Sequence, residues 1–194
     1  MKLYQKIKIP NFDQMQKELQ GLVHGVFPNK LLLTYYDPSL TELAEKCPTL
    51  IKYLFQNIKR PLRFFRIYHS PAGGGLGMHI DGGATNRSPI GLNLPILNCK
   101  NSHMKWWDES NAKIINGNFG YGNKPACKIL NPSELACIGS TEIEVPAFVR
   151  TDIIHSVENY NTEPRIIMSI RWDFNDEIGQ QFEDVMNFEP YDVI

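Results

Sequence analysis

The sequence predicts an α+β, mainly β fold, either an antiparallel sandwich or a jelly roll, with helices packed at its N-terminal end. Helical periodicity is concentrated in the first 60 residues, whereas the chain after Pro61 consists of short β-prone runs separated by Gly, Pro and Asn. No helical pattern separates these runs. Successive strands without intervening helices are typical of antiparallel sandwiches and barrels, because parallel strands need crossover connections.

Two helical regions are predicted before the strands. Apolar residues follow helical spacing through the segment 12–23, at Phe12, Met15, Leu19, Leu22 and Val23. A second helix begins near Asp37 or Ser39, either of which suits an N-cap. Pro48 is expected to interrupt it, because proline lacks the backbone donor that a helix interior requires.

The β-prone runs are short and rich in β-branched and aromatic residues, and they comprise 62–69, 77–80, 90–97, 103–107, 134–138, 141–145, 147–149, 152–157 and 165–174. The tail, 176–188, predicts a short closing helix. The Gly- and Asn-rich stretch 111–131 has little pattern, and a loop of this length is a candidate lid or substrate loop.

Length and composition predict one folded domain over 1–194, with a helical part at 1–60, a jelly-roll core at 61–174 and a C-terminal helix at 175–194. The formal net charge of −1 does not support binding to nucleic acid or to an anionic membrane. No apolar run approaches the roughly 20 residues that span a bilayer. The four cysteines form no C-x-x-C pair and no signal peptide precedes them, so we expect reduced thiols and a cytoplasmic protein.

A candidate metal site begins at His79-Ile80-Asp81. Residues two apart in a strand share a face, so His79 and Asp81 should point inward while Met78 and Ile80 pack on the other side. Two imidazoles and one carboxylate make the facial triad of non-haem Fe(II) oxygenases, which leaves positions open for a chelating cosubstrate and O2.

The second histidine of the triad should come from a later strand. His155 fits best, because it lies in the apolar run 151–157. His103 is a rival third ligand, His69 could support the ligands from the preceding strand, and His24 lies before the barrel.

The run 165–172 predicts a strand with a polar inner face. Alternation places Arg165, Ile167, Ser169 and Arg171 on one side and four apolar residues on the other. Two inward-facing arginines need anionic partners, because an unpaired buried charge is costly. A dicarboxylate cosubstrate would supply them through paired hydrogen bonds to guanidinium.

The segments 79–87, 91–96, 152–159 and 164–173 together resemble the 2-oxoglutarate/Fe(II) dioxygenase superfamily, and within it the aspartyl/asparaginyl β-hydroxylase branch. The resemblance covers about half the chain and implies a double-stranded β-helix of cupin-like type. It implies that His79 and His155 bind iron and that Arg165 binds the distal carboxylate of 2-oxoglutarate. It also implies that Arg87 and Asn93 lie near the cosubstrate or the substrate.

The chain departs from this branch in one respect, because the best-known members lack the metal-binding carboxylate that Asp81 supplies here. The last strand also resembles that of the alkylation-repair demethylases, in which a second arginine six residues on contacts the cosubstrate. Arg171, with Ser169 between the two arginines, matches that position.

The expected function is therefore hydroxylation of an unactivated C–H bond with Fe(II), 2-oxoglutarate and O2, releasing succinate and CO2. The substrate would be an amino acid, a peptide side chain or another small molecule. Three alternatives remain open: a nucleic-acid demethylase with Trp106 and Trp107 near Lys100 and Lys105 as a stacking surface, a cupin-like metal-binding or sensing domain, and a structural jelly roll without a site.

Overall fold

The computed structural model describes residues 2–28, 31–81, 89–117, 126–173 and 181–191. Three α-helices occur in these ranges: α1 (Phe12–Val23), α2 (Leu40–Lys46) and α3 (Pro48–Asn57). The strands are β1 (Tyr4–Lys8), β2 (Thr34–Tyr36), β3 (Leu62–Ser70), β4 (Gly75–His79), β5 (Ile90–Leu97), β6 (Ser102–Trp107), β7 (Ile114–Gly117), β8 (Ala126–Ile129), β9 (Cys137–Glu142), β10 (Ala147–Arg150), β11 (His155–Asn159), β12 (Arg165–Trp172) and β13 (Glu189–Pro190). Single 3-10 turns lie at Pro132–Glu134 and Phe182–Asp184.

The strands form a jelly-roll arrangement of two antiparallel sheets, as the sequence predicts. The major sheet has the order β13-β1-β10-β5-β12-β3-β2, the minor sheet has the order β4-β11-β6-β9, and β7 and β8 form a separate hairpin. Apolar side chains of β6 pack against those of β10 and β12, so the two sheets face each other. Placing sheets face to face buries the inner side chains of both.

The helices cover the outer face of the major sheet. The predicted helix over 12–23 is confirmed as α1, whose buried residues join the core formed with β5 and β12. Gln16 and Gln20 also donate side-chain hydrogen bonds to carbonyls of β5, at 3.1 and 3.0 Å. Ser39 caps α2, and Pro48 stands in the first turn of α3, so the predicted interruption is confirmed.

The side chains of β12 alternate as the sequence predicts. Ile166, Met168, Ile170 and Trp172 belong to the core under the helices, whereas Ile167 lies in the core between the sheets. The polar residues of this strand share the inner face with Ile167, so the sheet itself carries them into the space between the layers.

The segment 111–131 contains regular structure that the sequence analysis missed. Its described residues form the β7–β8 hairpin, in which Ile114 pairs with Ile129, and 118–125 lie outside the described residues. Ile129 and Cys127 pack on Ile80 and Ile154. The hairpin therefore supports the backbone next to all three predicted metal ligands.

The ends of the chain also pair in ways that the sequence did not indicate. β1 lies between β10 and β13, and β2 forms an edge of the major sheet beside β3. In the predicted closing helix, 176–180 fall outside the described residues, and the remainder is the 3-10 turn Phe182–Asp184 followed by an extended segment. Among the described residues, no helix combines the length and the apolar character that crossing a bilayer requires.

Candidate metal centre

Adjacent strands of the minor sheet bring the two predicted histidine ligands together. β11 pairs with β4 in a register that sets His155 opposite His79, and the ring centroids are 4.2 Å apart. Asp81 follows β4 by two residues, and its backbone N–H donates to the Thr151 carbonyl at 3.0 Å. Two of the three potential ligands therefore come from neighbouring strands, and the third, Asp81, has its backbone held by a hydrogen bond to Thr151.

The three side chains form a compact donor group. One ligand atom each from His79, Asp81 and His155 lies within 4.8 Å of the others, and within the described residues they are the one such group of His, Cys, Asp and Glu. The distance from His79 Nε2 to Asp81 Oδ1 is 3.6 Å. Atoms this close can be bridged by one ion with ligand distances near 2.1 Å.

Backbone carbonyls orient both imidazoles. Nδ1 of His79 lies 2.7 Å from the Gly77 carbonyl, and Nδ1 of His155 lies 2.8 Å from the Ile153 carbonyl. A carbonyl partner holds the proton on Nδ1, because a carbonyl can only accept. Each Nε2 is thereby left with its lone pair available, the arrangement found in metal-ligating histidines.

The electrostatics of the site favour the metal-binding protonation states. Burial and the neighbouring His79 lower the pKa of His155 to about 3, so its imidazole is neutral at physiological pH. Burial alone would raise the pKa of Asp81, but the Arg171 guanidinium and the two imidazoles outweigh it and hold that pKa well below its usual range. Neutral imidazole and ionised carboxylate are the forms that bind metal.

Arg171 contacts Asp81 directly. Its Nη2 and Nε both donate to Oδ2 of Asp81, at 2.7 and 3.2 Å, and its Nη1 donates to the Ser169 hydroxyl. The Ser169 hydroxyl in turn donates to Oδ1 of Asn93 at 2.6 Å. These contacts join β12, β5 and the carboxylate ligand into one buried polar network.

Arg165 lies at the other end of the same strand face and differs from Arg171 in its surroundings. It is 4% exposed, and its Nε has no hydrogen-bond partner in the described part of the chain. Burial lowers the pKa of its guanidinium, and Cys99 lies beside it. A buried cationic donor that lacks an anionic partner suits an anionic ligand.

One cavity connects these groups. The cavity lies between the two sheets and has a volume of about 50 Å³. The residues that line it include both polar and apolar side chains: Leu33, Tyr68, Ser70, Leu76, His79, Asp81, Asn93, Met104, His155, Val157, Arg165, Ile167, Ser169 and Arg171. Seven of the eight predicted site residues therefore face one cavity, and the eighth, Arg87, lies outside the described residues.

The rival histidines lie elsewhere. His103 is on the far side of β6, where its Nε2 is 3.4 Å from Glu142. His69 occupies the opposite face of β3 from the cavity and stacks on Phe27, so the suggestion that it supports the ligands is wrong. His24 follows the last turn of α1 and is exposed.

Two cavity features escaped the sequence analysis. Tyr68 lines the cavity, and burial together with the Asp81 charge raises its pKa. Gly91 lies directly beneath Arg171, because a Cβ at this position would be 1.7 Å from Arg171 Nη1. Alternation along β3 would have placed Tyr68 with Ser70, but the tight contact at Gly91 carries no sequence signal of its own.

Comparison with known proteins identifies the fold through structure alone. Neither a protein-family profile nor a curated protein sequence matches the chain. AviO1 from Streptomyces viridochromogenes Tue57 is similar with a TM-score of 0.52 and 9% identity, over 92% of this chain and 93% of that one. SnoK, a non-haem α-ketoglutarate-dependent carbocyclase from nogalamycin biosynthesis, is similar with a TM-score of 0.51 and 9% identity, over 87% and 78%.

A third similar structure is SnoN, a non-haem α-ketoglutarate-dependent epimerase from the same biosynthesis. Its TM-score is 0.50 at 12% identity, over 88% of this chain and 76% of that one. The chain shares the jelly-roll fold of SnoK and SnoN, which are named as α-ketoglutarate-dependent enzymes. Within that fold it carries a His-Asp-His group of facial-triad type. At identities this low the likeness concerns the fold, and any reaction has to be argued from the site.

Proposed function

We propose that this chain is an Fe(II)- and 2-oxoglutarate-dependent oxygenase that hydroxylates an unactivated C–H bond of an amino acid, a peptide side chain or another small molecule. The observation that carries the proposal is a pairing within one cavity. A His-Asp-His group with ligand atoms within 4.8 Å shares that cavity with a buried arginine whose Nε lacks a partner among the described residues.

The residues fit both groups that this reaction requires. His79, Asp81 and His155 would hold the iron, since two imidazoles and one carboxylate are the donors of the non-haem Fe(II) triad. Arg165 would bind the distal carboxylate of 2-oxoglutarate, because guanidinium matches a carboxylate with two parallel hydrogen bonds. When bound, iron and 2-oxoglutarate together convert O2 into an oxidant able to attack a C–H bond and release succinate and CO2.

The chain itself contributes binding, orientation and exclusion of water. Ile167, Met104 and Val157 present apolar side chains to the cavity from both sheets. This apolar part of the wall strengthens the electrostatic contacts inside and keeps the substrate carbon away from bulk water. The carbonyls behind His79 and His155 fix the rings, so the ligand atoms need little reorganisation to bind metal.

Two alternative functions receive less support. A cupin-like sensing domain would need the three ligands but not a buried arginine that faces the same cavity. The stacking surface expected of a nucleic-acid demethylase loses one of its two tryptophans, because Trp106 is fully buried and donates to the Arg150 carbonyl at 2.8 Å. Lys105 is likewise paired, with Glu158 at 2.6 Å.

The type of oxidation is a separate part of the proposal from the cofactor requirement. SnoK and SnoN share this fold and are named as a carbocyclase and an epimerase, so the fold accommodates several outcomes. We favour hydroxylation because Asp81 completes the triad, whereas related halogenases replace the carboxylate with a small residue to admit halide.

The test is succinate formation by purified protein with Fe(II), ascorbate and 2-oxoglutarate. We expect slow turnover without substrate, its loss in His79→Ala and Asp81→Ala, and its retention in the control His103→Ala, which alters a histidine outside the cavity. Succinate formation at the wild-type rate in His79→Ala would contradict the proposal. A screen of amino acids, peptides and metabolites by the same readout would then identify the substrate, and mass analysis of the product would distinguish hydroxylation from epimerisation or cyclisation.

A further inference from the structure

Beyond the ligands themselves, we propose that Asn93, Ser169 and Arg171 form a relay that positions Asp81 for one-oxygen coordination of the metal, and that Gly91 is the residue that admits it. The relay rests on the proposed function, since it assigns these residues to the metal ligand rather than to 2-oxoglutarate. None of the four would be a metal ligand, so each is a positioning residue.

The relay has a defined direction of hydrogen bonding. A serine hydroxyl has one proton, and Ser169 donates it to Oδ1 of Asn93 at 2.6 Å. The lone pairs of the same hydroxyl are therefore free to accept from Nη1 of Arg171. Asn93 thus fixes the hydroxyl, and the hydroxyl fixes the plane of the guanidinium.

The other edge of the Arg171 guanidinium donates hydrogen bonds to the Asp81 carboxylate. Nε and Nη2 of Arg171 both donate to Oδ2 of Asp81, while Oδ1 is the oxygen that faces His79 Nε2 at 3.6 Å. A carboxylate with two free oxygens can bind a metal through one or both. Because Oδ2 is engaged by Arg171, Oδ1 is the oxygen that would be available to a bound metal.

The hydrogen bonds of Arg171 also argue against a primary role in binding the cosubstrate. Its Nε, Nη1 and Nη2 all have protein partners, and the residue is 5% exposed. Arg165 on the same strand face has an unpaired Nε among the described residues. The two arginines therefore have different roles: Arg171 holds the carboxylate ligand, and Arg165 is available to a bound anion.

Gly91 makes the path of Arg171 possible. The two residues are register partners on β5 and β12, and the guanidinium crosses the β5 backbone at this point. A Cβ on Gly91 would lie 1.7 Å from Nη1 and 2.4 Å from Cζ, both far inside van der Waals contact. Any side chain here must displace the guanidinium from Asp81 and from Ser169.

The experiment measures Co(II) affinity of metal-free protein under anaerobic conditions without 2-oxoglutarate, from the visible absorption of the bound ion. We expect Ser169→Ala and Gly91→Ala to weaken Co(II) binding by about 10- to 100-fold, the range typical when a partner behind a metal ligand is lost. The controls are Ser140→Ala on the outer face of β9 and Gly21→Ala in α1, which should bind Co(II) as the wild type does. Ser169→Ala removes a single oxygen, so it remains informative if Gly91→Ala does not fold.

The same substitutions in an Asp81→Ala background separate positioning from a general structural effect. A relay that acts through Asp81 has nothing left to position there, so Ser169→Ala should cause no further loss of the residual Co(II) binding by the two histidines. An equal loss in both backgrounds, or wild-type affinity in Ser169→Ala, would overturn the relay while leaving the proposed function intact. A wild-type protein whose Co(II) binding is unaffected by His79→Ala would overturn both.

Discussion

Replacing Arg165 by methionine should leave the metal-free protein as stable as the wild type or more stable, yet abolish its response to 2-oxoglutarate. The side chain is 4% exposed and its Nε has no partner among the described residues, so the folded protein holds a cation that water would otherwise solvate. A charge buried without an anionic partner costs free energy, because it has lost its hydration and gained no ion pair, so an apolar side chain of similar volume should be neutral or stabilising here. An ordinary structural arginine would show the opposite sign.

The cosubstrate supplies the second half of the expected result. A ligand at 100 times its dissociation constant stabilises the folded state by about 2.7 kcal/mol. For a chain of this size each kcal/mol shifts the melting temperature by roughly 2–4 °C, so Mn(II)-loaded wild type should gain about 5–10 °C with saturating 2-oxoglutarate. Arg165→Met should gain less than about 2 °C at the same concentrations, because the distal carboxylate loses its partner.

Arg150 provides the matched control, because it is a buried arginine with a protein partner. It is 7% exposed, and its Nε and Nη2 both donate to the carboxylate of Asp152. Arg150→Met should therefore cost about 1.5–3 kcal/mol in urea denaturation, the range for hydrogen bonds to charged groups, while retaining the 2-oxoglutarate shift. Equal losses of stability in Arg165→Met and Arg150→Met, or a full thermal shift with 2-oxoglutarate in Arg165→Met, would contradict the assignment of Arg165 to the cosubstrate.

Three further outcomes concern the His155 imidazole, the free thiols and Gly21. In the metal-free protein the pKa of His155 is about 3, so the unfolded chain, with an imidazole pKa near 6.5, binds one more proton between these values. Stability should therefore fall by about 2 kcal/mol from pH 7 to pH 5, and urea denaturation of His155→Gln should lack that share of the loss. Among the four free thiols, Cys137 is exposed and should react rapidly with a thiol reagent. Burial raises the pKa of Cys47 to about 12, so Cys47 should react only after unfolding. A Cys137→Ser variant with an unchanged rapid phase would contradict this expectation. Gly21→Ala should raise the free energy of unfolding by up to about 1 kcal/mol, because Gly21 lies within α1 and nothing lies within 4 Å of the added methyl group; a lower urea midpoint would contradict this.

Most of the candidate site could be predicted because strand geometry is simple. A spacing of two places His79 and Asp81 on one side, and the same rule places Arg165, Ser169 and Arg171 together. His155 followed because a triad needs a third ligand from a separate strand. The minor sheet then makes His155 and His79 register partners, which the sequence did not specify.

Strict alternation fails at one point beside the metal ligands. Leu76 and His79 both line the cavity although they are three residues apart. The register shifts between His155 and Val157, so β4 carries an irregularity that turns both side chains inward. Gly75 permits it, because a Cβ there would be 2.0 Å from the Val157 carbonyl oxygen. A bulge of this kind depends on the partner strand and leaves only a glycine in the sequence.

Other features could not be predicted from the sequence for the same reason, because they depend on which strands pair across the sheet. Strand 62–70 has polar and apolar residues on both faces, so its sequence could not show that His69 faces away from the cavity while Tyr68 faces it. The edge strands β2 and β13 have only three and two residues. Segments this short have little intrinsic preference for the β conformation, and they are extended because a neighbouring strand pairs with them.

The charges around the cavity explain why a dianion suits a site that already contains one carboxylate. Asp81 is ionised and is neutralised by Arg171, and the buried imidazole of His155 is neutral. Arg165 therefore leaves this part of the described cavity with one unbalanced positive charge, to which a divalent ion would add two more. An anion with two carboxylates can meet both centres at once, one group at the metal and one at Arg165. A neutral ligand would leave Arg165 without an anionic partner, so affinity should depend on the second carboxylate. 2-Oxobutyrate, which lacks that carboxylate, should therefore bind the wild type far more weakly than 2-oxoglutarate does. In Arg165→Met the two ligands should bind with similar affinity.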